Sequence, residues 1–145
     1  MTTRIATAES VPEIRRCFPV MHELRPTHNC ETFLAQVQRQ AREVGYRLAY
    51  VEEGGEVKAV AGFRVSEFLA WGKTLYVDDL VTRSTERSRG YGDQLFDWLV
   101  AQARAQGCAQ FHLDSGVHRF GAHRFYLRKR MDIAAHHFAL KLTED

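Results

Sequence analysis

The chain has 145 residues, 45% hydrophobic, 26% charged and 11% aromatic, a composition that excludes disordered, fibrous and membrane-embedded classes and predicts one domain over 1–145. Its three cysteines, Cys17, Cys30 and Cys108, are odd in number and fit no framework spacing, which argues against a disulfide scaffold and for a reducing compartment. Net charge is only +2, yet 16 of the 20 basic residues are arginine; a local imbalance of this kind suits an anionic small molecule rather than nucleic acid, which calls for a broader basic surface.

In chain order, Arg4 to Ala6 predicts a short strand, and Ser10 ahead of Val11-Pro12-Glu13 predicts a capped helix start. Pro26 ends that helix. Asn29 caps a second, whose apolar positions Phe33, Leu34, Val37 and Ala41 keep helical spacing up to Gly45. Tyr46 to Glu52 and Val57 to Val65, rich in β-branched and aromatic residues, flank Glu53-Gly54-Gly55 and predict an antiparallel hairpin. Leu75 to Thr82 is apolar on both alternating faces except for its aspartates, the pattern of a central strand covered on both sides.

A polar loop then leads into an amphipathic helix with Leu95, Phe96, Leu99, Val100 and Ala103 on one face and Gly107 as its stop. Ala109, Phe111 and Leu113 alternate as a further strand. Arg119 to Arg130 predicts a basic helix with Phe120, Phe125, Tyr126 and Leu127 near its inner face, and Ile133 to Leu142 a closing strand or hairpin. Elements in this order predict a mixed sheet covered on both faces, an α/β or α+β domain in three layers. With no signal-type segment at its start and no apolar run near the ~18 residues of a membrane span, the chain is expected to be cytoplasmic, with no membrane partner.

The chemically informative stretch is Arg87-Ser88-Arg89-Gly90-Tyr91-Gly92, placed where a buried strand ends and the amphipathic helix begins. The first N–H groups of a helix have no internal partner and lie at the positive end of its dipole, so a glycine turn there suits a pyrophosphate. A Rossmann fingerprint would need a third glycine where Leu95 stands, and a Walker loop would need Gly-Lys-Ser/Thr. His22, His28 and Cys30 match no standard metal spacing, so no metal is expected.

The turn resembles the signature of the GNAT superfamily of acyl-CoA-dependent N-acetyltransferases, Gln/Arg-x-x-Gly-x-Gly/Ala, which Arg87, Gly90 and Gly92 match. The resemblance extends to the helix that in this family reads A..FY...GF, here Ala122, Phe125, Tyr126 and then Arg130-Met131. Arg130 stands where the family's glycine is usual, and the asparagine often found after the fifth strand is missing between Asp114 and His123.

The resemblance implies a three-layer fold with a mixed, mostly antiparallel sheet of six to seven strands and about four helices on both faces. It implies acetyl transfer from acetyl-CoA, a co-substrate, to a primary amine of a small molecule or peptide by direct attack in a ternary complex. Backbone at Leu80, Val81 and Thr82 would hold the pantetheine arm and Arg87 to Gly92 the pyrophosphate. Tyr126 would protonate the leaving thiolate. The base is sought among Asp79, Asp114 and Asp78, in that order, or a water chain; adjacent residues in a regular strand face opposite ways, so only one of Asp78 and Asp79 would reach the amine unless a bulge changes the phase. Two other readings stand beside this one: a non-catalytic acyl-CoA-binding regulatory module, and a nucleic-acid binder using Arg119 to Arg130. Exposed sheet edges leave a homodimer open.

Overall fold

The computed structural model describes residues 2–144. It divides into two units, Met1–Leu113 and Asp114–Asp145.

The first unit is built on a five-stranded sheet in the order β1 (Thr3–Thr7), β2 (Arg47–Glu53), β3 (Glu56–Phe68), β4 (Gly72–Thr82) and β5 (Gln110–Leu113). The first three pairings are antiparallel and β4 pairs with β5 in parallel. Two helices between β1 and β2, α1 (Val11–Leu24) and α2 (Cys30–Val44), start where the sequence predicts. Each is closed by a capping box: Ser10 with Glu13 and Asn29 with Thr32 satisfy backbone donors that the first helical turn leaves unpaired.

Alternation along β2 sorts the core. Leu48 and Tyr50 pack with Ile14, Cys17 and Val20 of α1 and with Phe33 and Val37 of α2. Ala49 and Val51 turn the other way, towards Leu95, Leu99 and Ala103 of α3 (Tyr91–Ala105). The result is the predicted three-layer α/β arrangement, with α1 and α2 on one face of the sheet and α3 on the other. No helix among the described residues is long and apolar enough to cross a membrane.

The second unit carries α4 (Phe120–Arg128), no residue of which is buried; Phe120 and Leu127, expected near its inner face, are exposed. Its end is closed by hydrogen bonds from Arg130 N–H to Leu127 C=O and from Met131 N–H to Tyr126 C=O. Arg130 takes φ 68°, the left-handed conformation that glycine adopts without a Cβ penalty. The helix therefore ends as a glycine would end it, at some backbone strain.

One expectation is corrected. The described sheet has five strands rather than six to seven, because Ile133 to Leu142 forms no strand. Alternating side chains do not make a strand without a ladder partner, and the described residues of the second unit contain no strand to supply one.

Candidate active site

The site begins with a one-residue irregularity in β4. Pairing with β3 runs Val60↔Val81, Ala61↔Leu80 and Gly62↔Asp79, and then jumps to Phe63↔Val77, which leaves Asp78 as the extra residue of a β-bulge. The core records the change of phase. Leu75 and Val77 face α3, and so does Leu80, whereas Val81 faces α1 and α2. Between Val77 and Leu80 the alternation therefore slips once, and Asp78 and Asp79 both line one cleft on the α1/α2 face. The bulge supplies the change of phase that a regular strand would forbid.

The cleft has a volume of about 310 Å³, and Met21, Phe33 and Val37 form part of its apolar wall. Asp79 Oδ1 accepts from Arg25 Nε at 2.8 Å, and Oδ2 accepts from the Tyr46 hydroxyl at 2.8 Å. Asp78 accepts from Arg64 at both oxygens, Oδ1 from Nε at 3.1 Å and Oδ2 from Nη2. Arg25 Nη2 also donates to the Asp78 carbonyl at 3.2 Å. Both carboxylates are largely shielded, with 17% and 15% of the Asp78 and Asp79 side chains exposed. Burial, reinforced by Asp79, pushes the Tyr46 phenol well above its ordinary pKa, so Tyr46 remains a proton donor across the working range.

Tyr46 reaches Asp79 only because Gly62 lies between them. A Cβ at Gly62 would stand 1.7 Å from the Tyr46 hydroxyl oxygen. Sequence reasoning missed Tyr46, Arg64 and Gly62. The one local signal was a glycine inside a long apolar strand, a mark of close approach.

The second feature is the turn Arg87 to Gly92. A 3₁₀ turn (Ser84–Glu86) follows β4, and Gly90, φ 85°, sits at the N-cap of α3 with nothing within 4 Å of where its Cβ would be. The turn is anchored from behind: Lys58 pairs with Glu86 at 3.0 Å, and Arg89 with Glu86 at 3.4 Å. The Tyr91 hydroxyl donates to the Glu53 carboxylate. A Cβ at Gly92 would lie 3.0 Å from Thr82 Oγ1, so the glycine lets the head of α3 approach the end of β4, where Leu80 and Thr82 are half-buried and Val81 is buried. Arg87, Ser88 and Arg89 are exposed. Unpaired helix N–H groups beside exposed arginines make this turn a fit for a phosphate-bearing ligand.

Asp114 and Tyr126 belong to the second unit. Within it, Asp114 Oδ1 lies 3.4 Å from His137 Nδ1. Tyr126, on α4, is half-buried; burial raises its phenol above the ordinary value and Arg119 opposes the shift.

A layered sheet with a carboxylate cleft at a β4 bulge and a glycine turn at the head of α3 is the arrangement that comparison with known proteins places among the acetyltransferases. The chain belongs to the acetyltransferase (GNAT) family, which it matches over residues 9–131. It is 34% identical over 120 residues to the uncharacterized N-acetyltransferase YhdJ of Bacillus subtilis (strain 168), covering 83% of this chain and 84% of the relative. Among solved structures it is similar in fold to a transcriptional regulator from Bacillus halodurans C-125, with TM-score 0.86 and 16% identity over 97% of this chain and 100% of that one. It is similar also to aminoglycoside N-acetyltransferase AAC(6')-Iy in complex with CoA, with TM-score 0.83 and 11% identity over 97% and 94%.

Proposed function

We propose that this chain moves an acetyl group from acetyl-CoA to a primary amine of a small molecule or peptide, by direct attack in a ternary complex. The observation that carries this reading is the bulge in β4. It sets two carboxylates on the wall of a cleft in the same strand whose end, Leu80, Val81 and Thr82, leads through Arg83 into the Arg87–Gly92 turn. AAC(6')-Iy, similar in fold, is known with CoA and with a bisubstrate analogue joining CoA to an acceptor.

In this reading the backbone of Leu80 to Thr82 holds the pantetheine arm and the thioester carbonyl, and Arg87, Ser88, Arg89, Gly90, Tyr91 and Gly92 hold the pyrophosphate. The acceptor ammonium gives a proton to Asp79. Its nitrogen then attacks the thioester carbon, forming the N–C bond, and collapse of the tetrahedral intermediate breaks the C–S bond. Tyr126 protonates the departing thiolate, so that CoA leaves as the thiol; the second proton shed by the acylated nitrogen restores the Tyr126 phenol through solvent, and the proton on Asp79 passes to solvent. Asp79 precedes Asp78 as base because a guanidinium holds both oxygens of Asp78 but only one of Asp79, whose other oxygen accepts from the neutral Tyr46 hydroxyl; Asp114 is the third candidate.

Thermal unfolding with acetyl-CoA, against ADP and adenosine as controls, tests the co-substrate. Ligand at a hundred times its Kd stabilises by about 2.7 kcal/mol, a shift of several degrees. Thiol release from an amine panel then tests transfer, and Tyr126→Phe is expected to slow release while acetyl-CoA still binds. Binding without turnover of any amine would replace this reading with a non-catalytic acyl-CoA-binding module.

A further inference from the structure

The proposed function leaves the acceptor's chemistry open, and the cleft around Asp78 and Asp79 narrows it. Four of its charged wall residues form two opposed pairs, Arg25 with Asp79 and Arg64 with Asp78. Together these four groups carry no net charge, and the rest of the polar wall is His28, Tyr46, Tyr76 and the paired amides of Gln36 and Gln40. A polycation entering here meets two guanidinium groups and no net negative field.

Both signs keep unused valence. A guanidinium has five N–H donors, and a carboxylate offers about four acceptor positions. Arg25 spends one N–H on Asp79 and one on the Asp78 carbonyl, and Arg64 spends one from Nε and one from Nη2 on Asp78. Each aspartate oxygen accepts from a single side chain among the described residues. Depth separates the signs. The Arg25 side chain is 49% exposed and the Asp79 side chain 15%, so the guanidinium lies at the rim and the carboxylate inside. A ligand matched to this wall sends an ammonium inwards and leaves an anion outside.

We infer, on the basis of the proposed acetyl transfer, that the acceptor is a small primary amine carrying its own anionic group, whose ammonium meets Asp79 and whose anion meets Arg25. The cleft, about 310 Å³, suits a ligand the size of an amino acid or a small amino phosphate. The anion is a carboxylate or a phosphate, since a planar guanidinium accommodates either. Arg25 is then the residue that determines specificity.

The test pairs each anionic amine with a partner lacking the anion: α-amino acids against their methyl esters, and phosphoethanolamine against ethanolamine, with spermidine as the polycation. Thiol release is read at fixed acetyl-CoA. Calorimetric titration of the same compounds reads the cleft without turnover. The anionic member of at least one pair is expected to lead by about tenfold in kcat/KM and in affinity, the scale of one charged hydrogen bond. The pair with the larger ratio identifies the anion. Arg25→Gln is expected to erase that lead by raising KM for the anionic member beyond any loss that both members share through Asp79, and Arg25→Lys to keep part of it. Equal binding within both pairs, preference for spermidine, or an equal effect of Arg25→Gln on both members would overturn the inference. An anionic preference in calorimetry without thiol release would support the inference and count against acetyl transfer alone.

Discussion

Two parts of the first unit are built from different materials. The turn at the head of α3 is a backbone site: Gly90 and Gly92 supply shape, and its unpaired N–H groups are common to any helix start. The cleft on β4 is a side-chain site, in which Arg25 from the end of α1, Tyr46 from the start of β2 and Arg64 from β3 converge on two aspartates. A backbone site tolerates sequence change so long as the turn survives, and suits a ligand shared across a family. A side-chain site changes with each substitution, and suits a ligand particular to one member.

Substitutions that separate shape from chemistry test this contrast. The largest effect is expected for Asp79→Asn, which keeps the shape of the side chain and removes its basicity: kcat should fall by about 10²-fold or more while acetyl-CoA affinity stays unchanged. An unchanged kcat would take Asp79 out of the proton path. Gly62→Ala should come next, because the new Cβ would overlap the Tyr46 hydroxyl. We expect a loss of about 1–3 kcal/mol in chemical denaturation, with a fall in activity as Tyr46 leaves Asp79. The new Cβ would also stand 2.3 and 2.6 Å from Tyr46 ring carbons, so in a Tyr46→Ala background, which removes the ring, the added cost of Gly62→Ala should shrink without activity returning.

Gly90→Ala isolates the backbone site. No atom opposes the added methyl, so the cost is conformational, about 1 kcal/mol at a φ of 85°. Acetyl-CoA affinity should weaken in parallel, while acceptor affinity measured by calorimetry holds. The smallest effect is a scaffold control far from both sites. Hydrogen bonds from the Ser10 backbone and hydroxyl hold the Glu13 carboxyl down to about 2 from an ordinary 4.5. A lowered pKa stabilises the fold above 4.5, and that contribution fades as pH falls towards 2. Glu13→Gln should therefore lower stability by about 0.5–1 kcal/mol at neutral pH. Its Tm deficit relative to the parent should shrink across that acid window.

The elements of the first unit were legible because their signals are local. Ser10 and Asn29 cap the helices they precede, Gly54-Gly55 turns the hairpin, and the apolar stripe of α3 repeats with helical period. The glycine turn was legible for the same reason, since six consecutive residues carry it. The cleft was not. Tyr46 and Asp79 are 33 residues apart in sequence and Arg25 and Asp79 are 54 apart, and only the folded sheet joins them. The bulge lay between these cases: adjacent aspartates invited the question of phase, but the answer depended on Gly62 across the ladder. In the tail, Ile133 to Leu142 forms neither the closing strand nor the hairpin expected of it, because no local cap, turn or apolar stripe fixed that reading.

The slip in β4 also governs how this strand tolerates changes in length. Upstream of it, odd-numbered Leu75 and Val77 serve the α3 core; downstream, even-numbered Leu80 serves that core and Val81 the opposite one. Loss of one residue at 78 or 79 would restore a uniform pleat and leave Leu75, Val77, Leu80 and Val81 on the faces they now hold, because the bulge residue is the extra one. The cleft would then keep one aspartate in place of two. Flattening the bulge at constant length is the change that would turn half of the strand over, with Val81 pointing at α3 or Val77 at α1 and α2. The second aspartate is thus carried by a residue that neither core needs.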